Sequence, residues 1–271
     1  MTLSRTARVL LRVWAGIFLV VVYVPLAVIL VNSFNSDRAF AWPPPHLTLH
    51  WWTTAWQVGG VQAALLTSVE VGLAATALAL LLGTAAALAL ARYHFFGQRP
   101  LSLVLVLPIA LPGIVTGIAL ESAFQTTGIG FGIYTIIIGH ATFCVVMVYN
   151  NVVARLRRMS GSTEEASMDL GAGIGRTFLR VTLPGMRSAL VAGALLAFAL
   201  SFDEIVVTTF TAGAGTQTLP LWIFNNLARP NAAPVVNVVA VSVILLSLIP
   251  VYLAQRLSSD AGTTDSAAAG H

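Results

Sequence analysis

The sequence predicts an all-α, polytopic membrane protein with six transmembrane helices. Two features of composition and one of pattern lead there. Hydrophobic residues make up 57% of the 271 and charged residues only 9%, with a mean hydropathy of +0.87. A soluble domain carries about 25% charged residues. Six apolar stretches reach the roughly 20 residues that a helix needs to cross a hydrocarbon core of about 30 Å.

The spans are Val9–Val31, Ala63–Ala91, Leu101–Phe124, Phe131–Val153, Ala189–Phe210 and Val235–Arg256. The first follows Arg5, Arg8 and Arg12, as a signal peptide would. It runs too long for one, and Asn32-Ser33-Phe34-Asn35 is not a small-residue cleavage site, so an uncleaved anchor is expected. Between spans one and two lie Trp42, Trp51, Trp52 and Trp56, which read as an interfacial belt, with His50-Trp51-Trp52 on a short surface helix. The third span contains Pro108, Pro112, Gly113 and Gly117. Its prolines free backbone carbonyls that must face protein or water, and Gly113 and Gly117 have the spacing that admits a close neighbouring helix. Ordinary packing and a bent, pathway-lining helix are both open there. One transmembrane domain, residues 1–258, is expected, followed by a small, polar tail at 259–271 that reads as disordered.

Every one of the 14 basic residues is arginine. Without lysine there is no Walker A phosphate loop and no Schiff-base site. The single cysteine, Cys144, rules out an intrachain disulfide. With the N-terminus inside, twelve arginines fall on inner segments and only Arg38 and Arg229 on outer ones. That split predicts both termini in the cytoplasm. The net charge of +4 is therefore read as an orientation signal, and no nucleic-acid partner is expected.

The one sizeable inner loop, residues 154–188, is too short for a core of its own. Ser162 is placed as a helix N-cap with Glu164 and Glu165 in the first turn, where the helix dipole favours acids. Glu165 to Leu170 reads as a short helix, the glycines from Gly171 to Gly175 as a turn, and Arg176–Leu183 as a second helix ending before Pro184. A helical elbow with no catalytic group suits docking to another protein.

Within it, Glu165-Ala166-Ser167, Gly171 and Val181-Thr182-Leu183-Pro184 resemble the Glu-Ala-Ala loop of binding-protein-dependent ABC import permeases. Ser167 stands for Ala and Val181 for Ile; the spacing is kept. The resemblance covers roughly Asn32 to Arg256 and implies a type I ABC importer permease. Further matches at Gly139-His140, Ala197 to Val207 and Thr218-Leu219-Pro220-Leu221 resemble the spermidine/putrescine branch, in which two different permease chains pair. The resemblance implies a second permease chain, separate ATP-binding subunits, two copies expected, and an extracytoplasmic solute-binding protein, all in a lipid bilayer. This chain would hold no cofactor and catalyse nothing; ATP and Mg would be bound by the partner. Glu165, Ala166, Ser167, Asp169 and Gly171 would form the ATPase-coupling turn, and Leu183-Pro184 would end the elbow against the membrane.

Acids inside apolar spans are costly, about 2.5–3.5 kcal/mol near the centre, and usually face a cavity or a partner. At about 1.5 Å per residue, Glu70 lies about 10 Å in from the outer end of span two and Asp203 about 21 Å from the inner end of span five. Glu70, Asp203 and Glu204 are therefore candidates for a cation pathway, with a helix break or an arginine partner as the structural alternative for the Asp203-Glu204 pair. Glu121 reads as interfacial. His140 is expected to hydrogen-bond a neighbouring helix, and Cys144 to pack as a small apolar residue. Permeases for other solutes (an amino acid, thiamine, iron, a sulfonate) and an autonomous secondary transporter remain the alternatives.

Overall fold

The computed structural model describes residues 4–38, 42–229 and 232–247. The described residues are almost entirely helical, apart from an isolated antiparallel bridge between Asn35 and Leu47. They fall into two compact units, one of the described residues up to Val61 and from Ile223 onward, the other Gln62–Trp222.

In the first unit, α1 (Arg5–Asn32) is a 28-residue apolar helix with Asn32 its one buried residue. The tryptophan-rich segment after it folds around α2 (His50–Thr54). Trp51 is buried and donates its indole N–H to the Asn35 carbonyl at 2.9 Å, Phe34 stacks on Trp52, and the Arg38 guanidinium lies over the Trp51 ring. The short helix expected at His50-Trp51-Trp52 is present, but Trp51 is a core residue of this segment and not a membrane-facing anchor. Its indole N–H has found a buried acceptor, and that favours burial of the whole ring. Trp42 is exposed, as an interfacial residue would be.

The second unit is built around α6 (Ile133–Leu156), twelve of whose 24 residues are buried. Beside it run α3 (Val61–Arg92) and α9 (Leu183–Asp203). Glycine permits both approaches. A Cβ on Gly83 of α3 would lie 2.8 Å from the Val145 carbonyl, and one on Gly193 of α9 would lie 3.3 Å from the Val148 Cα. In a membrane, where lipid is as apolar as leucine, such backbone proximity supplies much of the helix–helix attraction. Ala79, Ala87, Cys144, Val148, Val152, Met186 and Ala197 fill the core between these helices.

Among the described residues, four helices are long and apolar enough to cross a membrane, and a fifth span results if one sharply bent pair counts as one. That pair is α4 (Gln98–Ala110) and α5 (Gly113–Thr127), bent by 108°. The third expected span is thus two helices. Pro112 disfavours helical backbone at the residue before it, and Leu111 is extended at φ −84°, ψ 145°. The fifth expected span, Ala189–Phe210, is likewise not continuous. It breaks at Glu204-Ile205, between α9 and α10 (Val206–Thr211), with Glu204 extended at ψ 114°. Gly113 and Gly117 pack against α10, where the Phe210 ring occupies the space a Gly117 side chain would need. The third span is therefore bent, and its glycines admit a neighbour. The sixth expected span, Val235–Arg256, is seen as the helix Ala233–Ser247; its remainder, like the tail, lies outside the described residues.

Candidate functional site

Two places in the second unit concentrate polar groups. The first is where the two helix breaks meet. Pro108, Leu111, Gly113, Thr116, Phe143 and Glu204 help to line a cavity of about 200 Å³. Glu204 caps the short α10: its Oε1 accepts the Val207 N–H at 2.9 Å, and its carbonyl accepts the Thr208 hydroxyl at 2.7 Å. The Thr116 hydroxyl, on the same cavity, is buried with no hydrogen-bond partner. The lining thus combines a carboxylate and an unused hydroxyl with no basic residue. Such a set suits a donor that carries positive charge, since charge-assisted hydrogen bonds are about twice as strong as neutral ones.

His140 holds this break in place. It is fully buried on α6, one ring nitrogen 2.8 Å from the Ser201 hydroxyl and the other 2.8 Å from that of Thr208. Those residues lie on either side of the break, so a single imidazole spans it. Cys144, one turn on, is buried with its thiol against the Ala197 carbonyl.

The acids singled out from sequence do not converge. Glu204 is half-buried on the cavity; Asp203 is exposed at the last position of α9. Glu70 is exposed on α3 and is not among the cavity-lining residues. Glu121 accepts a hydrogen bond from Gln125 at 3.2 Å, one turn along α5. The helix break weighed as the alternative for Asp203-Glu204 is present.

The second place is the elbow. Helix α7 (Ser162–Asp169) carries Glu164 and Glu165 in its first turn, but its N-cap is Gly161, so Ser162 is already helical. Gly171 follows with φ +84°, a left-handed conformation that a side chain disfavours. Helix α8 (Ile174–Thr177) then runs through a π-helical turn, Phe178–Thr182, directly into α9. The second helix was expected to end before Pro184. Instead Pro184 occupies the first turn of α9, where its missing N–H costs little, and the wider π turn absorbs the irregularity.

Glu165, Ala166 and Asp169 are exposed, as are Leu170 (90%) and Ile174 (75%). Ser167 turns inward, its hydroxyl 3.0 Å from that of Thr177. Leu183 is half-buried. The acid that anchors the elbow is one that sequence reasoning passed over. Glu164 Oε1 accepts from Arg92 Nη2 and from the Thr182 hydroxyl, both at 2.8 Å. From sequence, Arg92 at the end of α3 reads only as one of the twelve inner arginines. The available signal was the adjacent pair Glu164-Glu165: successive helix positions face about 100° apart, so both cannot point outward alike.

A family model described as "Binding-protein-dependent transport system inner membrane component" matches residues 79–261. The chain belongs to this family. Among its relatives, this inner membrane component is 33% identical over 242 residues to the "Spermidine/putrescine transport system permease protein PotC" of Haemophilus influenzae, covering 87% of this chain and 91% of the relative. It is 33% identical over 232 residues to the "Putrescine transport system permease protein PotI" of Escherichia coli, covering 80% and 79%. It is 32% identical over 236 residues to the "Putative 2-aminoethylphosphonate transport system permease protein PhnV" of Salmonella typhi, covering 85% and 89%. A solved bacterial ABC transporter involved in the import of alginate contains a chain of the same fold, with a TM-score of 0.73, 17% identity and coverage of 96% of this chain and 99% of that one.

Proposed function

We propose that this chain is a permease subunit of an ATP-driven polyamine importer. The observation that carries the reading is the similarity, over about four-fifths or more of both chains, to permeases named for putrescine and spermidine. The chain would pair with a second permease, two ATP-binding subunits holding ATP and Mg, and an extracytoplasmic solute-binding protein. The arginine distribution supports both termini in the cytoplasm of a bacterial inner-membrane protein.

The exposed face of the elbow, with Glu165, Ala166, Asp169 and Leu170, would dock on an ATP-binding subunit. Gly171 would set its turn, Ser167 would brace it from inside, and Leu183-Pro184 would join it to α9. Closure of the ATP-binding pair would shift the elbow, and α9 would pass that shift to the break at Glu204-Ile205. Glu204 and Thr116 would receive an ammonium group in their cavity. Asp203 is unfavourably placed at a helix C-terminus with no basic residue in its last turn, an arrangement that a passing cation would relieve. Glu70, exposed on α3, would contribute a more distant charge along the path.

The test is ATP-dependent uptake of labelled putrescine by the complete complex in proteoliposomes. Asp203→Asn should lower uptake and solute-stimulated ATPase together. Wild-type values of both in that variant would sink the cation-path assignment, and no polyamine uptake by the wild-type complex would sink the substrate class. The similarity to a 2-aminoethylphosphonate permease favours a second reading, import of another amine-bearing solute. Competition of unlabelled 2-aminoethylphosphonate against putrescine separates the two.

A further inference from the structure

A larger cavity, of about 540 Å³, lies where α3 ends and α4 begins. Arg92, Arg99 and Arg157 line it with Gln98, Ser102 and Tyr149, and no lining residue is acidic. Arg92 spends one nitrogen on Glu164, while its Nε is buried with no hydrogen-bond partner. Arg99 and Arg157 are exposed, and neither has a carboxylate partner among the described residues. Arg99 is also the second residue of the 13-residue α4, where the helix dipole adds positive potential. Ser102 and Tyr149, whose hydroxyls are 3.2 Å apart, extend the polar wall.

The surroundings of this basic pocket are those of a membrane–water boundary. The link between α3 and α4 exposes Tyr93, Phe95 and Phe96. Tyrosine collects at headgroup depth because its ring is apolar and its hydroxyl polar, and Tyr93 supplies such a group here. Along α4, directly beyond Arg99, Leu101, Leu103, Val104 and Leu107 are exposed. A pocket of guanidinium groups therefore opens beside a strip of bare apolar helix. A soluble anion would use only the first of these; an amphiphile with an anionic head uses both.

We propose that this pocket binds the headgroup of an anionic phospholipid, with the phosphate between Arg92, Arg99 and Arg157 and the acyl chains along α4. The guanidinium fork matches phosphate oxygens, and basic pockets between membrane helices are suited to such headgroups. The site depends on the family's placement in a membrane and not on the identity of the transported solute.

The complete complex, purified in detergent, is titrated with phosphatidylglycerol, with phosphatidylcholine of the same chains, and with inorganic phosphate. Native mass spectrometry reads the bound lipid. Saturable retention of phosphatidylglycerol over phosphatidylcholine is expected. The double variant Arg99→Gln/Arg157→Gln should weaken it by at least about tenfold, because two charged contacts are lost. Arg187→Gln, an exposed arginine outside the pocket, should leave it unchanged. Equal retention of the two lipids, or equal phosphatidylglycerol binding by the double variant, overturns the site. Binding of inorganic phosphate alone with the same arginine dependence, without lipid preference, overturns the lipid and assigns the pocket to a free anion. Arg157→Gln alone provides the same comparison if the double variant does not assemble. Because the readout is binding, its failure is separate from a failure of polyamine uptake.

Discussion

The break at Glu204-Ile205 and the elbow at Gly171 both interrupt a helix, and they do so by opposite means. At the break the polar groups other than Asp203 are turned inward: His140 bridges Ser201 and Thr208, Glu204 caps α10, and Phe210 closes over Gly117. At the elbow one half-buried ion pair and a few hydroxyl contacts hold the back, while Glu165, Asp169, Leu170 and Ile174 face outward. The break is a nearly self-sufficient joint whose residual polarity points into a cavity. The elbow instead leaves acidic and apolar side chains bare on its outer face.

The largest effect should come from the elbow. Gly171→Val places a β-branched residue at φ +84°, at a cost of roughly 1–2 kcal/mol. A Cβ there meets nothing within 4 Å, so folding and membrane insertion should survive while the turn reshapes. Uptake in proteoliposomes should fall by about tenfold or more, the equivalent of about 1.4 kcal/mol. Gly171→Asn, which tolerates the left-handed region, should retain more activity than Val. Normal ATP-coupled uptake by the Val variant would show that the turn's geometry is not used for coupling.

Next comes Glu204→Gln. The amide oxygen can still accept the Val207 N–H, so the cap is kept and only the charge is lost. Uptake of a dication should drop several-fold, about 1 kcal/mol of lost interaction, with an unchanged melting temperature. A lower melting temperature with normal uptake would reassign Glu204 from solute path to scaffold.

The same comparison explains what could be read from residues alone. The elbow was legible because its determinants are local: acids in a first turn, a glycine turn and fixed spacing over some twenty residues. The bend of the third span was legible in Pro112 for the same reason. The break in the fifth span was legible only as one alternative for the Asp203-Glu204 pair. No proline marks it, and the partners that hold it, His140 with Ser201 and Thr208, are 61 and 68 residues apart. The Glu164–Arg92 pair, 72 residues apart, escaped on the same ground. Apolar content identified the spans, but in a membrane both continuous and broken helices are apolar, so composition does not register where a helix stops.

His140→Phe should produce a moderate effect, on stability first. It removes two hydrogen bonds, each worth about 0.6 kcal/mol and at most about 1.7 between membrane helices. Thr208 keeps its bond to the Glu204 carbonyl, whereas buried Ser201 loses its imidazole partner. The melting temperature in detergent should fall, and His140→Phe/Ser201→Ala should regain part of the loss, because removing both partners is gentler than orphaning one. Equal melting temperatures for wild type and the single variant would mean that the break is held by packing against α5 alone.

The smallest expected effect, and the one that compares the two regions most directly, is at the Glu164–Arg92 pair. Glu164 is 16% exposed and Arg92 28%, so solvent screens the pair but does not remove it. Glu164→Gln retains the shape of the side chain and its bond from Thr182, and loses only the charge. A double-mutant cycle with Arg92→Gln on thermal unfolding should give a coupling energy of about 0.5–1 kcal/mol. Hydrogen exchange should then rise in residues 162–182 and stay unchanged around Ser201 to Thr208, because the elbow relies on this contact and the break does not. Faster exchange at the break in Glu164→Gln would mean the two joints are coupled at rest, through α9, before any partner is engaged.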